Sequence, residues 1–138
     1  MNGLDALFAA AKAARDNAYA PYSHFSVGVA LRTHSGQVFV GANVENAAYP
    51  VGTCAEAGAI AAMVAGAARD IMEILVIADS ADRVMPCGAC RQRIFEFATS
   101  ETVVHSAGLE GVRASVRLAD LFPHAFGPRN LRNAAQAD

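Results

Sequence analysis

Two short cysteine motifs constrain this chain more than any other feature of its sequence. They read Thr-Cys-Ala-Glu at residues 53–56 and Pro-Cys-Gly-Ala-Cys at residues 86–90, and they contain all three cysteines of the 138 residues. A cysteine count that is odd and small excludes a disulfide framework as the source of stability. A chain of this length buries one hydrophobic core without such bridges. We therefore expect a single domain over residues 1–138.

Both motifs lie where a helix is predicted to begin. Thr53 fits an N-cap and Glu56 completes a capping box with it, which predicts a helix from Cys54 to about Arg69. The second motif leads into a helix with an apolar side formed by Cys90, Ile94, Phe95, Phe97 and Ala98. The unpaired N–H groups and positive dipole of a helix N-terminus lower the pKa of a nearby thiol and stabilise the thiolate that binds metal.

The spacing of the cysteines predicts one catalytic zinc site. Cys87 and Cys90 reach one metal from a single helical turn, and Cys54 of the facing helix supplies a third thiolate. Three protein ligands leave one tetrahedral position open for water, which is typical of catalytic Zn²⁺. Glu56 is not required as a ligand and is placed to take a proton from that water, whose pKa the ion lowers toward about 7. A non-ligand Glu with a Pro-Cys-x-x-Cys second half is the signature of zinc nucleobase deaminases.

The hydropathy pattern predicts an α/β fold with helices on both faces of a sheet. The expected elements are a helix at 4–19, strands at 25–31 and 37–41, the helix at 54–69, a buried strand at 71–78, the helix after Pro86, strands at 102–105 and 112–118, and a helical turn at 119–122. The tail at 133–138 is expected to be frayed.

Nearly the whole chain resembles the small, homotetrameric, zinc-dependent cytidine deaminases of the three-cysteine type. Besides both cysteine motifs, the segments that carry the resemblance are APYSHFSVG (20–28), GANVENAAY (41–49), RQ (91–92) and LFPHAFGP (121–128). The resemblance implies a three-layer α-β-α fold with a central mixed sheet of about five strands. It also implies hydrolytic deamination of cytidine and 2′-deoxycytidine in pyrimidine salvage, with Glu56 as proton shuttle and Cys54, Cys87 and Cys90 as ligands of one Zn²⁺ per chain.

The same resemblance implies how the substrate is held. Asn43 and Glu45 would hydrogen-bond the ribose hydroxyls, and Phe25 would stack beside the pyrimidine. Phe126 would be contributed near the site of a neighbouring subunit, so that sites are shared within the homotetramer. Backbone groups near Ala55 are candidates for reading the edge of the base.

One position departs from the family. Most members carry Arg directly after the catalytic Glu, where this chain has Ala57. Three thiolates and Zn²⁺ sum to one net negative charge, and an Arg would offset it by donating to a thiolate. Ala57 cannot donate, so we predict that Arg91, next to Cys90, and the two helix N-termini compensate. The departure also motivates an alternative substrate, a related aminopyrimidine nucleoside or a blasticidin-type antibiotic.

Most of these predicted site residues could also have an ordinary structural role, and the sequence leaves that alternative open. The pair Cys87 and Cys90 alone is compatible with a redox motif, and Glu56 with a capping role only. Asn43 and Glu45 are common loop formers, and the two phenylalanines, Phe25 and Phe126, are core aromatics by default. An alternative of another class is a non-catalytic zinc-binding protein that retains the fold.

The composition and the N-terminal sequence limit which partners and which cellular compartment we expect for this chain. The chain has 11 Lys+Arg against 13 Asp+Glu, with no basic cluster, which argues against a nucleic-acid partner. The longest uncharged apolar stretch, residues 57–68, is too short to span a bilayer. The N-terminus has neither the basic region nor the unbroken apolar region of a signal peptide, so we expect a cytoplasmic protein. An apolar content of 54% favours self-association.

Overall fold

A computed structural model describes the backbone of residues 2–136 and the side chains of residues 2–132. The elements along the chain are α1 (Gly3–Arg15), β1 (Val27–Arg32), β2 (Val38–Ala42), a 3₁₀ turn (Tyr49–Val51), α2 (Ala55–Ala65), β3 (Ile71–Ala78), α3 (Gly88–Glu96), β4 (Ala98–Gly108), β5 (Gly111–Arg117), α4 (Leu118–Leu121) and α5 (Pro128–Gln136).

The five strands form one mixed sheet in the order β2-β1-β3-β4-β5. Strands β3 and β4 are parallel, with Ile74 opposite Val104, and the other neighbours are antiparallel. The segment between β3 and β4 includes α3, as parallel neighbours require a crossover. The predicted mixed sheet of about five strands is confirmed.

The two faces of the sheet bury different helices, because successive strand residues point to opposite sides. On one face, Leu7 and Ala11 of α1 pack against Ala30, Leu75 and Ile77. The opposite face packs against α2, α3 and α4 through a larger cluster that includes Val29, Leu31, Ile74, Val76, Ala59, Met63, Ile94 and Leu118. This confirms the predicted three-layer α-β-α arrangement.

Two glycines bring α2 close to β2. A Cβ built at Gly41 of β2 would lie 2.3 Å from the carbonyl oxygen of Ala55 and 2.4 Å from the amide nitrogen of Ala59, so only glycine fits there. Gly58 faces the same contact from α2, and its Cβ would lie 3.5 Å from Gly41 Cα. The close contact fixes the first turn of α2, which carries the first cysteine motif, against the sheet.

The structure corrects several predicted boundaries. The first helix ends at Arg15 rather than at residue 19, and α2 covers Ala55–Ala65 rather than 54–69. Phe97 and Ala98 lie outside α3, because Phe97 caps it and Ala98 begins β4. Helix α5 was not predicted. It includes residues 133–136 of the tail that we expected to fray, and residues 137 and 138 lie outside the described residues.

The predicted capping box at the start of α2 is also wrong. The N-cap is Cys54, not Thr53. The backbone of Thr53 is instead paired with Val44, through N–H to carbonyl bonds of 2.9 and 3.0 Å, which hold it in an isolated β-bridge. Glu56 therefore has no Thr53 cap to complete.

In the part of the chain that the structure describes, no helix is long and apolar enough to cross a membrane.

Candidate active site

The three cysteine sulfurs meet between the starts of two helices. Cys54 is the N-cap of α2, Cys87 is the N-cap of α3, and Cys90 lies in the first turn of α3. The three sulfurs lie within 4.8 Å of one another. Cys90 is fully buried, Cys54 is partly buried and Cys87 is exposed. The structure therefore brings together the three residues that the sequence predicts as ligands.

The chemistry of these thiols fits a bound cation. The backbone N–H of Cys90 lowers the pKa of the Cys87 thiol, as expected at a helix N-terminus. Burial raises the pKa of Cys54 and of Cys90, so a positive ion is what would hold those two as thiolates. Soft thiolate ligands suit zinc, and three of them leave one tetrahedral position open. The residues present fit a catalytic zinc ion.

Glu56 lies beside the sulfurs in the first turn of α2. Its residue surface is only 5% exposed, and burial raises the pKa of its carboxyl group. A carboxyl with a raised pKa can both accept and return a proton near neutral pH. This environment suits a proton shuttle better than a solvent-exposed helix cap.

A cavity of about 430 Å³ opens in front of the sulfurs and Glu56. Its volume lies in the usual range for small-molecule sites. Four further residues predicted for the site line it beside Cys54, Cys87 and Glu56, namely Phe25, Asn43, Glu45 and Ala55. The loop after β2 and the segment before β1 thus form one wall, and the two helix N-termini form the other.

Asn43 and Glu45 hold the segment before β1 in place. Asn43 Oδ1 accepts from the N–H of Val27 and its Nδ2 donates to the carbonyl of Phe25, both at 2.8 Å. Glu45 accepts from the N–H groups of Tyr22 and Ser23 at 2.9 and 3.1 Å, and from the Ser23 hydroxyl. That hydroxyl contributes most to lowering the pKa of Glu45. The carboxylate therefore stays ionised, and both side chains keep unused hydrogen-bonding capacity for a ligand.

Two predicted residues lie apart from the cavity. Phe126 is 59% exposed, and its carbonyl accepts a hydrogen bond of 2.7 Å from Gln92 Nε2. Arg91 donates through Nε to the carbonyl of Pro86 at 2.8 Å and through Nη1 to that of Leu121 at 2.7 Å. It ties the second motif to α4 instead of donating to a thiolate. That Arg91 tunes the zinc site therefore stays a prediction, without a hydrogen bond to a sulfur behind it.

The guanidinium that reaches a sulfur belongs to Arg93, which the sequence reasoning missed. Arg93 Nη1 donates to Cys90 Sγ at 3.3 Å. The two residues are three apart on α3, and residues at that spacing are neighbours on a helix surface. The spacing of a basic residue three positions after a predicted ligand is the signal that would have identified it.

Comparisons with known proteins agree with this geometry. A family model described as the cytidine and deoxycytidylate deaminase zinc-binding region matches residues 1–106. A cytidine deaminase of Sporosarcina psychrophila is 40% identical over 133 residues, which are 96% of this chain and 98% of that protein. A cytidine deaminase of Halalkalibacterium halodurans is 40% identical over 120 residues, covering 87% and 91%.

The solved structures that resemble this chain are also cytidine deaminases. The crystal structure of cytidine deaminase from Burkholderia pseudomallei has a TM-score of 0.84 and 43% sequence identity, over 91% of this chain and all of that one. Cytidine deaminase from Mycobacterium leprae has a TM-score of 0.75 and 38% identity, over 90% of this chain and 100% of that one.

Proposed function

The chain belongs to the cytidine and deoxycytidylate deaminase family, and from that premise we propose that it converts cytidine and 2′-deoxycytidine to uridine and 2′-deoxyuridine with release of ammonia. Family membership makes it a zinc-dependent deaminase, a hydrolase acting on the C–N bond of a cyclic amidine. The proposal adds the two nucleosides as substrates, the residues of the site and a place in pyrimidine salvage.

One observation carries the proposal. A buried carboxyl, Glu56, and the sulfurs of Cys54 and Cys87 share the wall of a cavity large enough for a nucleoside. Together with Cys90, the two sulfurs are the proposed ligands of one zinc ion per chain. A structural zinc site would have a fourth protein ligand, and the cluster contains three.

Glu56 performs the proton transfers of the proposed reaction. A zinc ion bound by the three thiolates would lower the pKa of the attacking water. The Glu56 carboxylate accepts a proton from this water and delivers it to ring N3 of the substrate. The water oxygen bonds to C4, and the C4–N4 bond breaks as the same carboxylate carries the second proton to the leaving amine. Water is consumed, and the products are the uracil nucleoside and ammonia.

The rest of the cavity would recognise the nucleoside. Glu45, held ionised by Ser23, can accept from the sugar hydroxyls, and the remaining N–H of Asn43 can donate to them. Phe25 and Ala55 both line the cavity. In the proposed complex, the ring of Phe25 would stack on the pyrimidine, and backbone groups near Ala55 would hydrogen-bond the edge of the base. A free base has no diol and would leave Asn43 and Glu45 without a ligand.

We further propose a homotetramer in the cytoplasm. The exposed ring of Phe126 would complete the site of a neighbouring subunit. Thiols that must stay free to bind zinc persist in a reducing compartment. Deamination of free nucleosides is a salvage reaction, and the formal charge of −2 gives no basic surface for a polynucleotide.

The direct test is product formation. Zinc-loaded protein incubated with cytidine, and separately with 2′-deoxycytidine, should yield the uracil nucleoside and an equal amount of ammonia. Finding neither product with either nucleoside would contradict the proposed substrates.

A wider panel separates the alternatives. It should include related aminopyrimidine nucleosides and a blasticidin-type antibiotic, run with the wild type beside Ala57→Arg. A higher kcat/KM for one of those compounds than for cytidine would favour the alternative substrate, which the unusual Ala57 motivates. One zinc per chain with no deamination of any compound would favour a non-catalytic zinc-binding protein.

A further inference from the structure

Arg93 makes a contact that the proposed reaction does not use. Its Nη1 donates to Cys90 Sγ at 3.3 Å, whereas Cys90 itself is fully buried. Long side chains on a helix lean toward its N-terminus, so Arg93 extends back along the first turn of α3 to the sulfur. The contact therefore follows from the helix geometry that also places the second cysteine motif.

The guanidinium lies beside a cluster of ionisable groups, the three thiols and one carboxyl. It interacts electrostatically with Cys54 and Cys87 as well as with Cys90, and with the carboxyl of Glu56. Three thiolates around Zn²⁺ carry one net negative charge, which a single guanidinium balances. An Arg side chain keeps its positive charge at any physiological pH. Among the described side chains, Arg93 is the basic group with a hydrogen bond to one of these sulfurs.

We infer that Arg93 is a positioning residue of the metal centre, which orients Cys90 Sγ and offsets the net negative charge of the three thiolates. The inference rests on the proposed ligation of zinc by the three cysteines. Groups that hydrogen-bond a metal ligand fix its orientation and tune the metal, and replacing one lowers metal affinity by about 10–100-fold. Arg93 acts through Cys90 and does not touch the substrate.

Two measurements on Arg93→Gln test the inference without relying on activity. The first is zinc affinity, measured by competition with a chromophoric chelator, and we expect it to fall by at least about tenfold. The second is the sulfur-to-metal charge-transfer band of the Co²⁺-loaded protein. That band should move to lower energy, because the sulfur lone pairs lose the hydrogen bond that stabilises them. Arg93→Lys keeps the charge and a donor, so it should recover part of both quantities.

Arg117→Gln is the matched control. It removes one Arg charge from an exposed position at the end of β5, where the guanidinium pairs with Asp120 at 3.6 Å. It should leave the zinc affinity and the cobalt band unchanged. An equal loss of affinity in this control would attribute the effect to net charge and would overturn the specific role of Arg93.

The outcomes separate the inference from the proposed function. Failure of the wild type to bind one metal ion per chain would contradict ligation by the three cysteines, and both proposals with it. Normal binding by the wild type with an unchanged affinity and band in Arg93→Gln would overturn the role of Arg93 alone. If Arg93→Gln does not fold, Arg93→Met keeps the aliphatic length without the charge, and wild-type affinity in that variant would overturn the inference equally.

Discussion

In the proposed mechanism, one carboxyl group, that of Glu56, carries out all the proton transfers. Its burial in the first turn of α2 raises its pKa, and it shares the cavity wall with Cys54 and Cys87. The protein offers no other acidic side chain in the lining of this cavity except Glu45, as far as the described residues go. Because hydrogen bonds from Ser23 and Tyr22 keep Glu45 ionised, the two carboxyls have separate tasks. In the proposed mechanism Glu56 exchanges protons, whereas Glu45 accepts hydrogen bonds.

Replacing Glu56 with Gln should remove turnover and leave the metal bound. Gln has nearly the same volume but cannot accept the proton of the attacking water, so kcat should fall by about 10²–10⁴-fold. Zinc content, measured by atomic absorption, should stay at one ion per chain, because the sulfurs are unchanged. Glu96→Gln, at the exposed end of α3, is the matched control and should keep wild-type activity. A Glu56→Gln enzyme with near-normal kcat would contradict the shuttle.

Glu45 should make stability depend on pH in the acid range. Its folded-state pKa is lowered, mainly by the Ser23 hydroxyl, below the value of about 4.3 for a free Glu. Its stabilising effect is therefore complete above that value and is lost as the pH falls through the lowered folded-state pKa. In melting experiments, the difference between wild type and Glu45→Gln should be constant above pH about 5.5 and shrink on acidification. Glu101→Gln, at an exposed position near the start of β4, controls for removal of one carboxyl. A difference that grows in acid would contradict this role.

The sequence predicted the proposed metal ligands better than it predicted the residues that contact them. Cysteines at helix starts predict a sulfur cluster because both helix N-termini stabilise thiolates, and the structure has that cluster. The sequence suggested Arg91, adjacent to Cys90, as the basic residue that compensates for the missing Arg, together with the two helix N-termini. Helix geometry instead directs Arg91 toward the carbonyls of Pro86 and Leu121, and Arg93 back toward the sulfur. Adjacent residues on a helix point in directions about 100° apart, so sequence adjacency is a poor guide to contact.

Among the elements, α2 is positioned by the contact between Gly41 and Gly58. Helix α2 carries Cys54 at its N-cap and Glu56 in its first turn, so its distance from β2 sets the position of two proposed site residues. The Cβ that is missing at Gly41 would overlap the backbone of α2, whereas a Cβ at Gly58 has ordinary van der Waals space. The two glycines face one another but tolerate change differently.

Alanine substitutions at these glycines should have opposite effects. Gly41→Ala would push α2 outward, because the new methyl would lie 2.3 Å from the Ala55 carbonyl oxygen. We expect a loss of about 1–3 kcal/mol in the free energy of unfolding and a lower deamination rate. Gly58→Ala should be neutral or stabilise by up to about 1 kcal/mol, because Ala is the better helix former. Urea unfolding of the zinc-loaded variants measures both, and similar losses in the two variants would contradict the model of a one-sided close contact.

The elements that sequence predicted best are those buried on both faces. The run at 71–78 became β3 with the predicted bounds, because only a central strand buries such a continuous apolar segment. The start of α2 was predicted wrongly because the backbone of Thr53 pairs with Val44, in the loop after β2. A capping pattern considers only the residues beside the helix start, so it does not detect this pairing. Helix α5 was missed because its sequence, PRNLRNAAQ, is mostly polar, with Leu131 as its one large apolar residue. Its start is marked by Pro128 and by Asn130, which accepts from the N–H of Gly127 at 2.9 Å.

At the scale of the whole molecule, large apolar side chains remain on the surface, in the cavity lining at Tyr49 and apart from the cavity at Phe126. Tyr49 is 77% exposed, Val51 is 62% exposed and Phe126 is 59% exposed. Tyr49 and Glu45 also border a second cavity that adjoins the first. Apolar groups clustered beside a cavity are typical of a surface that a partner covers. In the proposed homotetramer, copies of this chain cover it.

Light scattering tests the assembly directly. The wild type should elute with about four times the chain mass of 14.4 kDa. Phe126→Ala should lose more kcat/KM than Val38→Thr, an apolar to polar change on the edge strand β2, where Val38 is 42% exposed. A monomeric wild type with full activity would contradict both the tetramer and the shared site.

Mixing two variants, each impaired in a different residue of the proposed shared site, tests whether Phe126 serves a neighbour. Phe126→Ala subunits keep Glu56, and Glu56→Gln subunits keep Phe126, so a mixed tetramer contains sites in which an intact Glu56 meets an intact Phe126 from the adjoining chain. Random assembly should restore roughly a quarter of the wild-type rate per chain, since half of the chains keep Glu56 and half of their neighbours keep Phe126. Co-expression with two different affinity tags allows the mixed species to be purified and assayed. A mixture no more active than the average of the two variants would show that each chain uses its own Phe126 or none.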